Sequence, residues 1–162
     1  MRAPGPPLLA DCGVVPMEEY KAKSGLEILR QIIAGALPPP PISAVMGFYL
    51  AEVEEGLAVF AGTPGFQHYN PAGAVHGGYA GVLLDSCMTC AVQTTLPAGL
   101  GCVTLEYKVH LVRPMTAETG PVRAEGKVLH GGKRTATAEG RLLDTQGRVY
   151  AHGTTTVMVF PV

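Results

Sequence analysis

The stretch that decides the fold is NPAGAVHGGYAGVLLDSCMTCAVQ, residues 70–93, where a turn-rich loop runs into a long apolar segment. After Gly77 and Gly78, apolar side chains cover most of the circumference that a helix would present. A helix at a protein surface is polar on one face, so this pattern predicts a helix that is covered nearly all round. One sheet covers one side of a helix, which predicts a second subunit on the other side.

One carboxylate, Asp85, interrupts this apolar segment. It follows Gly78 by seven residues, close to two helical turns, so both residues lie on one stripe with Gly81. An unpaired carboxylate in apolar surroundings is costly, and we expect Asp85 to be paired, protonated or held for a function. The structural alternative is a helix residue that pairs with a lysine or reaches solvent at an edge.

The two glycines at the start of the predicted helix supply a feature that is complementary to a negative charge. Backbone N–H groups in a first helical turn have no partner within the helix, and the helix dipole adds to their attraction for anions. Glycine also leaves the backbone open to a ligand. Gly77 and Gly78 therefore suit a developing oxyanion. His68 and His76 in the loop are candidate bases or hydrogen-bonded structural histidines.

The remaining pattern predicts the elements around this helix. Residues 17–37 have the spacing of an amphipathic helix that ends at the prolines 38–41, and residues 45–54 and 57–63 alternate as two strands. Four longer strands are predicted over residues 102–112, 119–129, 133–144 and 148–160, with turn residues between them. Antiparallel strands with one long apolar helix predict an α+β fold in which a curved sheet wraps that helix.

Composition bounds the class of protein. The 162 residues fit one domain, and 47% hydrophobic against 15% charged residues favours a subunit interface or an apolar pocket. A net charge of −1 offers no footprint for nucleic acid, and no apolar run is long enough to span a membrane. The opening residues do not resemble a secretory signal, and four cysteines do not form a disulfide framework. We expect a cytoplasmic oligomer.

The Cys87-Met-Thr-Cys90 spacing is typical of metal or redox sites in other contexts. A metal site would need further ligands, and a redox site would place the motif at a strand-to-helix turn. Because both cysteines fall inside the apolar helix, the favoured interpretation is packing, and no metal is expected.

The spacing Asn70-x5-His76-Gly77-Gly78-x6-Asp85 resembles the active-site segment of the hotdog-fold acyl-CoA thioesterases, in their PaaI-like, phenylacetate-pathway branch. The resemblance covers about residues 43–160. It implies a hotdog domain over residues 41–162, with a curved six-stranded antiparallel sheet around one long central helix. An N-terminal extension over residues 1–40 adds an extra helix. A second His-Gly-Gly, residues 130–132, falls at a predicted hairpin.

The resemblance implies roles for individual residues. Asp85 corresponds to the general base or nucleophile, and the Gly77 N–H corresponds to the donor that polarises the thioester carbonyl. Asn70 corresponds to the amide that holds substrate or the attacking water, and His76 lies beside the thioester. The loop and helix start of one subunit face the carboxylate of the other, so the catalytic unit is a homodimer, which we expect to assemble into a homotetramer.

A hydroxyl on the strand after the helix is implied to orient the water. Thr104 is the candidate, or Val103 occupies the position if the register shifts by one residue. Glu106 is expected on the same face as Thr104, as an accessory acid or a solvated residue.

Further residues are implied to bind the substrate. Arg113 and the pair Lys133 and Arg134 are expected to meet the phosphates and pantetheine of coenzyme A, although turn lysines and arginines are often only solvated. Gly78 and Tyr79 complete the predicted substrate contacts. The acyl group stays open between an aryl-acetyl and a medium-chain group, for which the candidate lining residues are Phe66, Tyr69, Tyr79, Ala80 and Gly81.

The predicted activity is hydrolysis of an acyl-CoA, with coenzyme A as part of the substrate and no other cofactor. Serine-based hydrolysis is disfavoured because the chain has no G-x-S-x-G motif. A hotdog enoyl-CoA hydratase or dehydratase is disfavoured because no histidine follows Asp85 before His110. A non-catalytic acyl-CoA-binding protein is the alternative from another class, and Asp85 discriminates against it, since binding alone does not need a carboxylate at that depth.

Overall fold

The computed structural model describes residues 5–162, so the first four residues of the predicted N-terminal extension lie outside the described part. Six strands form one antiparallel sheet in the order β1-β2-β4-β5-β6-β3. The strands are β1 Phe48–Glu54, β2 Leu57–Gly62, β3 Leu100–Leu111, β4 Val122–Gly131, β5 Thr135–Asp144 and β6 Val149–Pro161. The predicted α+β hotdog fold is confirmed.

The long helix α4, Gly77–Gln93, packs against the sheet and carries most of the core. Its close approach depends on two glycines that face each other on neighbouring strands, Gly126 and Gly140. A Cβ atom at Gly126 would lie 2.2 Å from the Cys87 carbonyl oxygen, and one at Gly140 would lie 2.9 Å from Cγ of Met88. These glycines therefore leave room for the helix backbone and its inward side chains.

The N-terminal extension differs from the single predicted helix over residues 17–37. It contains two short helices, α1 Met17–Ala22 and α2 Gly25–Ile33. The break occurs because Ser24 forms a capping box with Glu27: the Ser24 hydroxyl accepts from the Glu27 N–H, and the Glu27 carboxylate accepts from the Ser24 N–H at 2.8 Å.

The prolines 38–41 were predicted only to end a helix, but the last of them begins a new one. Pro41 occupies the first position of a further helix, α3, Pro41–Met46, where a missing backbone N–H costs nothing. Gly47 ends this helix at a φ of 66°, a left-handed conformation that glycine adopts easily. The predicted strand over residues 45–54 therefore begins only at Phe48.

The chain exposes apolar surface along the edge strand β3, where Val103, Leu105, Tyr107 and Leu111 are each 45–58% exposed. The adjacent face of α4 is only half-buried, at residues 82, 85, 86 and 89. The sheet thus covers part of α4, which is the arrangement expected if something else covers the remainder.

No helix within residues 5–162 combines the length and apolar character needed to cross a bilayer.

Candidate active site

Asp85 lies at the centre of a small hydroxyl cluster between α4 and β3. The Thr104 hydroxyl donates to Asp85 Oδ1 at 2.7 Å, and Thr89, one turn further along α4, lies with its Oγ1 at 3.4 Å from the same oxygen. The two threonine hydroxyls are 2.8 Å apart. No cation within residues 5–162 forms an ion pair with Asp85, and the carboxylate is half-buried. A carboxylate held by hydroxyl donors, without a cation, stays available as a proton acceptor or nucleophile.

The register of β3 places Thr104, not Val103, against Asp85. Val103 is 45% exposed and pairs with Met158 of β6. The expectation that Glu106 shares the face of Thr104 is wrong, because a β-bulge between Thr104 and Glu106 inserts one residue and reverses the alternation.

The residue that the bulge turns toward the helix is Tyr107. A Cβ atom added at Gly81 would lie 3.4 Å from the Tyr107 hydroxyl, so this hydroxyl sits over α4 one turn before Asp85. Sequence reasoning missed Tyr107, because strict alternation directs it outward. Thr89 was missed as well, although its position four residues after Asp85 is a signal available from the sequence.

The start of α4 presents one free backbone donor. His76 is the N-cap residue, and its Nδ1 accepts the Gly78 N–H at 2.9 Å. The Tyr79 N–H bonds to the His76 carbonyl at 3.0 Å. No acceptor within residues 5–162 takes the Gly77 N–H. Of the two glycines, Gly77 therefore keeps its donor for a ligand, whereas the donor of Gly78 serves the cap.

Asn70 holds the loop that leads into α4. Its Oδ1 accepts the N–H groups of Ala72 at 2.9 Å and Ala74 at 3.3 Å, which is the side-chain turn that asparagine forms readily. The side-chain amide nitrogen has no acceptor within residues 5–162, so it is the part of Asn70 that remains for a ligand.

Three predicted residues meet in a groove at this end of the helix. Asn70, Gly77 and Arg113 line a cavity of about 330 Å³, together with residues of β3, the following loop and Tyr150. The Arg113 guanidinium lies 5.7 Å from the centre of the Tyr150 ring, a cation–π distance that fixes the charge beside the groove. The groove thus combines an open N–H donor, an amide and a positive charge.

Lys133 and Arg134 lie at the opposite end of the sheet from Arg113. They precede Thr135, which pairs with Met158, and Met158 also pairs with Val103. Arg113, in contrast, follows the end of β3 at Leu111. Both hairpin side chains are exposed. A single protomer therefore does not bring these cations and Arg113 to one site.

The free N–H of Gly77 and the carboxylate of Asp85 are also far apart within one copy of the chain. Gly77 and Asp85 are eight residues apart on one helix, which corresponds to about 12 Å along its axis. A thioester carbonyl bound to the Gly77 N–H is therefore out of reach of Asp85 in the same protomer.

His68 and Tyr79 are buried and pack against each other, with ring centres 4.4 Å apart. Burial lowers the pKa of His68, and its Nδ1 accepts the Gly65 N–H, both of which favour the neutral imidazole. Burial raises the pKa of Tyr79 to about 12, and its side chain is 1% exposed. In this protomer Tyr79 is a packing residue, with little surface to offer to the predicted substrate contact.

The cysteines of α4 and β3 are unreactive by environment. Burial raises the pKa of Cys87 far above its usual range, that of Cys90 to about 12 and that of Cys102 to about 11. Protonated thiols are poor nucleophiles and poor metal ligands. Within residues 5–162 no three potential metal-binding side chains come together.

The family assignment follows from comparison with known proteins. The sequence model of the thioesterase superfamily matches residues 72–151, which include Gly77, Asp85 and Thr104. The chain belongs to this superfamily. No protein among those with curated functions matches it.

Solved structures extend this assignment. The PaaI phenylacetic acid degradation protein of Thermus thermophilus, solved as a point mutant, is 29% identical with a TM-score of 0.65, over 73% of this chain and 97% of that one. A phenylacetic acid degradation-related protein of Ralstonia eutropha JMP134 is 26% identical with a TM-score of 0.73, over 80% and 98%. A Streptococcus mutans UA159 protein with bound acetyl-CoA shares the fold at 22% identity and a TM-score of 0.64, over 70% and 89%. These matches confirm the predicted resemblance to PaaI-like hotdog thioesterases.

Proposed function

We propose that this protein hydrolyses acyl-CoA thioesters in sites that are each built from two copies of the chain. The proposal rests on the positions of two groups on α4: Gly77 has a free N–H donor, and Asp85, about 12 Å away along the axis, has a carboxylate bound by a hydroxyl group. Thioester hydrolysis needs both groups around one carbonyl. Two antiparallel copies of α4 would set the donor of one copy opposite the carboxylate of the other.

The exposed surface of the protomer supports such a pairing. The half-buried face of α4 and the apolar edge strand β3 adjoin each other, so one contact would cover both. A two-fold axis through this surface makes the contact self-complementary, as in most homodimers. It would also bring Lys133 and Arg134 of one copy to the end of the dimer that holds Arg113 of the other. Two such dimers would form the homotetramer.

In the proposed reaction, the Gly77 N–H and the dipole of α4 stabilise the charge that develops on the thioester oxygen. Asp85 attacks the carbonyl carbon itself or removes a proton from the attacking water, and Thr104 fixes its carboxylate for either step. The thiolate of coenzyme A then leaves as the carbonyl re-forms. On the water route this gives the acid directly, and on the nucleophilic route it gives an acyl–Asp85 anhydride that a water molecule hydrolyses at the Asp85 carboxyl carbon. Single-turnover hydrolysis in H₂¹⁸O separates the two routes, because the water route puts ¹⁸O into the acid, whereas this nucleophilic route puts an oxygen of Asp85 into it.

The cations and the amide are proposed to hold coenzyme A. Arg113 and Asn70 line the groove at Gly77, where the free amide nitrogen of Asn70 would hold the substrate or the water. Lys133 and Arg134, exposed at their hairpin, would reach the nucleotide phosphates. Coenzyme A is proposed to enter only as part of the substrate. The four free cysteines agree with the proposed cytoplasmic location.

A panel of acyl-CoA esters, assayed by thiol release with the parent and with Asp85→Asn, tests the proposal. The parent should hydrolyse members of the panel, and Asp85→Asn should be at least about a hundredfold slower, the usual contribution of a base. Equal rates for the two proteins would refute the role of Asp85. Tight binding of acyl-CoA without release of thiol would show the non-catalytic binding protein instead.

A further inference from the structure

A second cavity lies under the N-terminal extension, outside the groove at the start of α4. Its volume is about 280 Å³. It is bounded by the extension on one side and by β1, β2 and α4 on the other. Its lining includes Ile32 from the extension, Leu50 from β1, Phe60 from β2 and Cys90 from α4.

The chemistry of this cavity is apolar. None of its lining residues carries a charge, and Tyr20 and Ser43 supply the side-chain hydroxyls. An apolar cavity of about 150 Å³ already binds benzene. A cavity of about 280 Å³ is close to twice that size, so it has room for an apolar group longer than one ring.

Cys90 connects the cavity to the half-buried face of α4 that carries Asp85. It lines the cavity and directly follows Thr89, whose hydroxyl bonds to Thr104 beside Asp85. Cys90 lies five residues after Asp85, about 7.5 Å along the axis of α4 and about 140° around it. A group that starts at a carbonyl beside Asp85 must therefore run both along and around α4 to reach this cavity, a path that needs an extended chain.

The residues predicted to line an acyl pocket lie in several places. Ala80 is fully buried in the core, and Phe66 is 81% exposed, where it packs on Tyr69. Tyr69 and Tyr79 line a groove of about 370 Å³ beside His76. Two histidines and a glutamine share that groove, whereas the cavity under the extension has no charged or imidazole group in its lining and suits a saturated chain better.

We propose that this cavity binds the distal end of a saturated medium-chain acyl group, and that the N-terminal extension thereby sets the chain-length preference of the enzyme. The inference rests on the proposed thioesterase function, since the carbonyl end of the same group is placed at Asp85. An acetyl group is too short to reach Cys90, and a charged acyl end finds no partner among the lining residues.

Two neighbouring isoleucines of α2 provide a matched test. Ile32 lines the cavity, whereas Ile33 is 42% exposed. Ile32→Trp fills the cavity and should lower kcat/KM for octanoyl-CoA at least tenfold while leaving acetyl-CoA unchanged. Ile33→Trp should change neither substrate. Ile32→Ala enlarges the cavity and should move the preferred chain to greater length, which keeps the test decisive if Ile32→Trp fails to fold.

Equal effects of Ile32→Trp on octanoyl-CoA and acetyl-CoA, or none on either, would overturn the proposal. A parent preference for phenylacetyl-CoA over octanoyl-CoA would overturn the assignment of a saturated chain.

Binding of octanoate by calorimetry separates this proposal from the catalytic one. The parent and Asp85→Asn should both bind octanoate, and Ile32→Trp should bind it at least tenfold more weakly. If the parent hydrolyses no thioester but this binding pattern holds, the proposed activity fails and the cavity stands. If the parent hydrolyses thioesters but binds octanoate no better than Ile32→Trp does, the cavity assignment fails and the activity stands.

Discussion

Replacing Thr104 with valine tests whether the hydroxyl cluster positions Asp85. Valine has nearly the shape of threonine and is favoured in strands, so β3 should keep its structure. The substitution removes the donor that lies 2.7 Å from Asp85 Oδ1. The Thr89 hydroxyl remains at 3.4 Å from the same oxygen, beyond the usual O–H···O range.

The size of the effect follows from the kind of bond that is lost. A hydrogen bond to a charged group contributes about 1.5–3 kcal/mol. Since about 1.36 kcal/mol corresponds to tenfold in rate, the expected loss in kcat/KM is roughly ten- to 150-fold. The loss should fall on kcat rather than on KM, because Thr104 acts on the carboxylate and not on the bound coenzyme A.

Steady-state kinetics of Thr104→Val with the best substrate of the panel measure this loss. Thr154→Val is the matched control, since Thr154 is exposed on the neighbouring strand β6. Both variants should remain folded under the assay conditions, which chemical denaturation of each variant checks. If Thr104→Val keeps the parent kcat, or loses activity only through KM, then Thr104 does not position Asp85.

Two further predictions concern stability. Gly126→Ala should destabilise the fold by about 1–3 kcal/mol, because the new Cβ atom would lie 2.2 Å from the Cys87 carbonyl oxygen. Gly131→Ala is the control and should not destabilise the fold, because a Cβ atom there meets nothing within 4 Å. Equal denaturation midpoints for the two variants would contradict this role of Gly126. Burial raises the pKa of Asp144, but the Arg148 N–H and guanidinium and the Gln146 N–H outweigh this and lower it to about 2. Because this pKa is lower in the folded chain than in the unfolded one, its contribution to stability is complete above about pH 4 and is lost as the pH falls toward 2. Asp144→Asn should therefore flatten the acid loss of stability in that window, and an unchanged pH profile of the denaturation midpoint would contradict the assignment.

The main elements of the fold were predictable, because each follows from hydrophobic periodicity over a long segment. The central helix and all six strands appear where periodicity places them, within a few residues. The N-terminal extension was harder, because periodicity continues across Ser24 while the capping box with Glu27 starts a new helix there. The sequence predicts that Pro41 helps to end a helix, whereas in the structure it is the first residue of α3.

The helix start of the candidate site was predictable from local sequence, whereas parts of its surroundings were not. The free donor at Gly77 agrees with the expectation for a first helical turn, and the facing of Thr104 toward Asp85 agrees with what the family resemblance implied. Tyr107 was not predictable, because a single inserted residue in β3 decides which side chains face α4. The role of Gly126 and Gly140 in leaving room for α4 was not predictable either, because their contacts join segments far apart in the chain.

In the proposed dimer, each active site takes Gly77 from one copy and Asp85 from the other. Gly77→Pro removes the N–H while suiting the first helical position, and the extended backbone of His76 is compatible with a following proline. A Cβ atom added at Gly77 would meet only the side chain of Leu111, 2.4 Å from its Cδ1. Leu111 is exposed, and Gly77→Ala controls for that contact. Loss of one oxyanion donor should cost about 10²–10³ in kcat.

Mixing two inactive proteins tests whether the site is shared in this way. Gly77→Pro and Asp85→Asn should each be inactive alone. When equal amounts exchange subunits, half of the dimers are mixed and each mixed dimer holds one intact site, so we expect about a quarter of the parental activity. If mixing restores no activity after subunit exchange has been verified, the donor and the carboxylate belong to the same copy of the chain and the shared site is refuted.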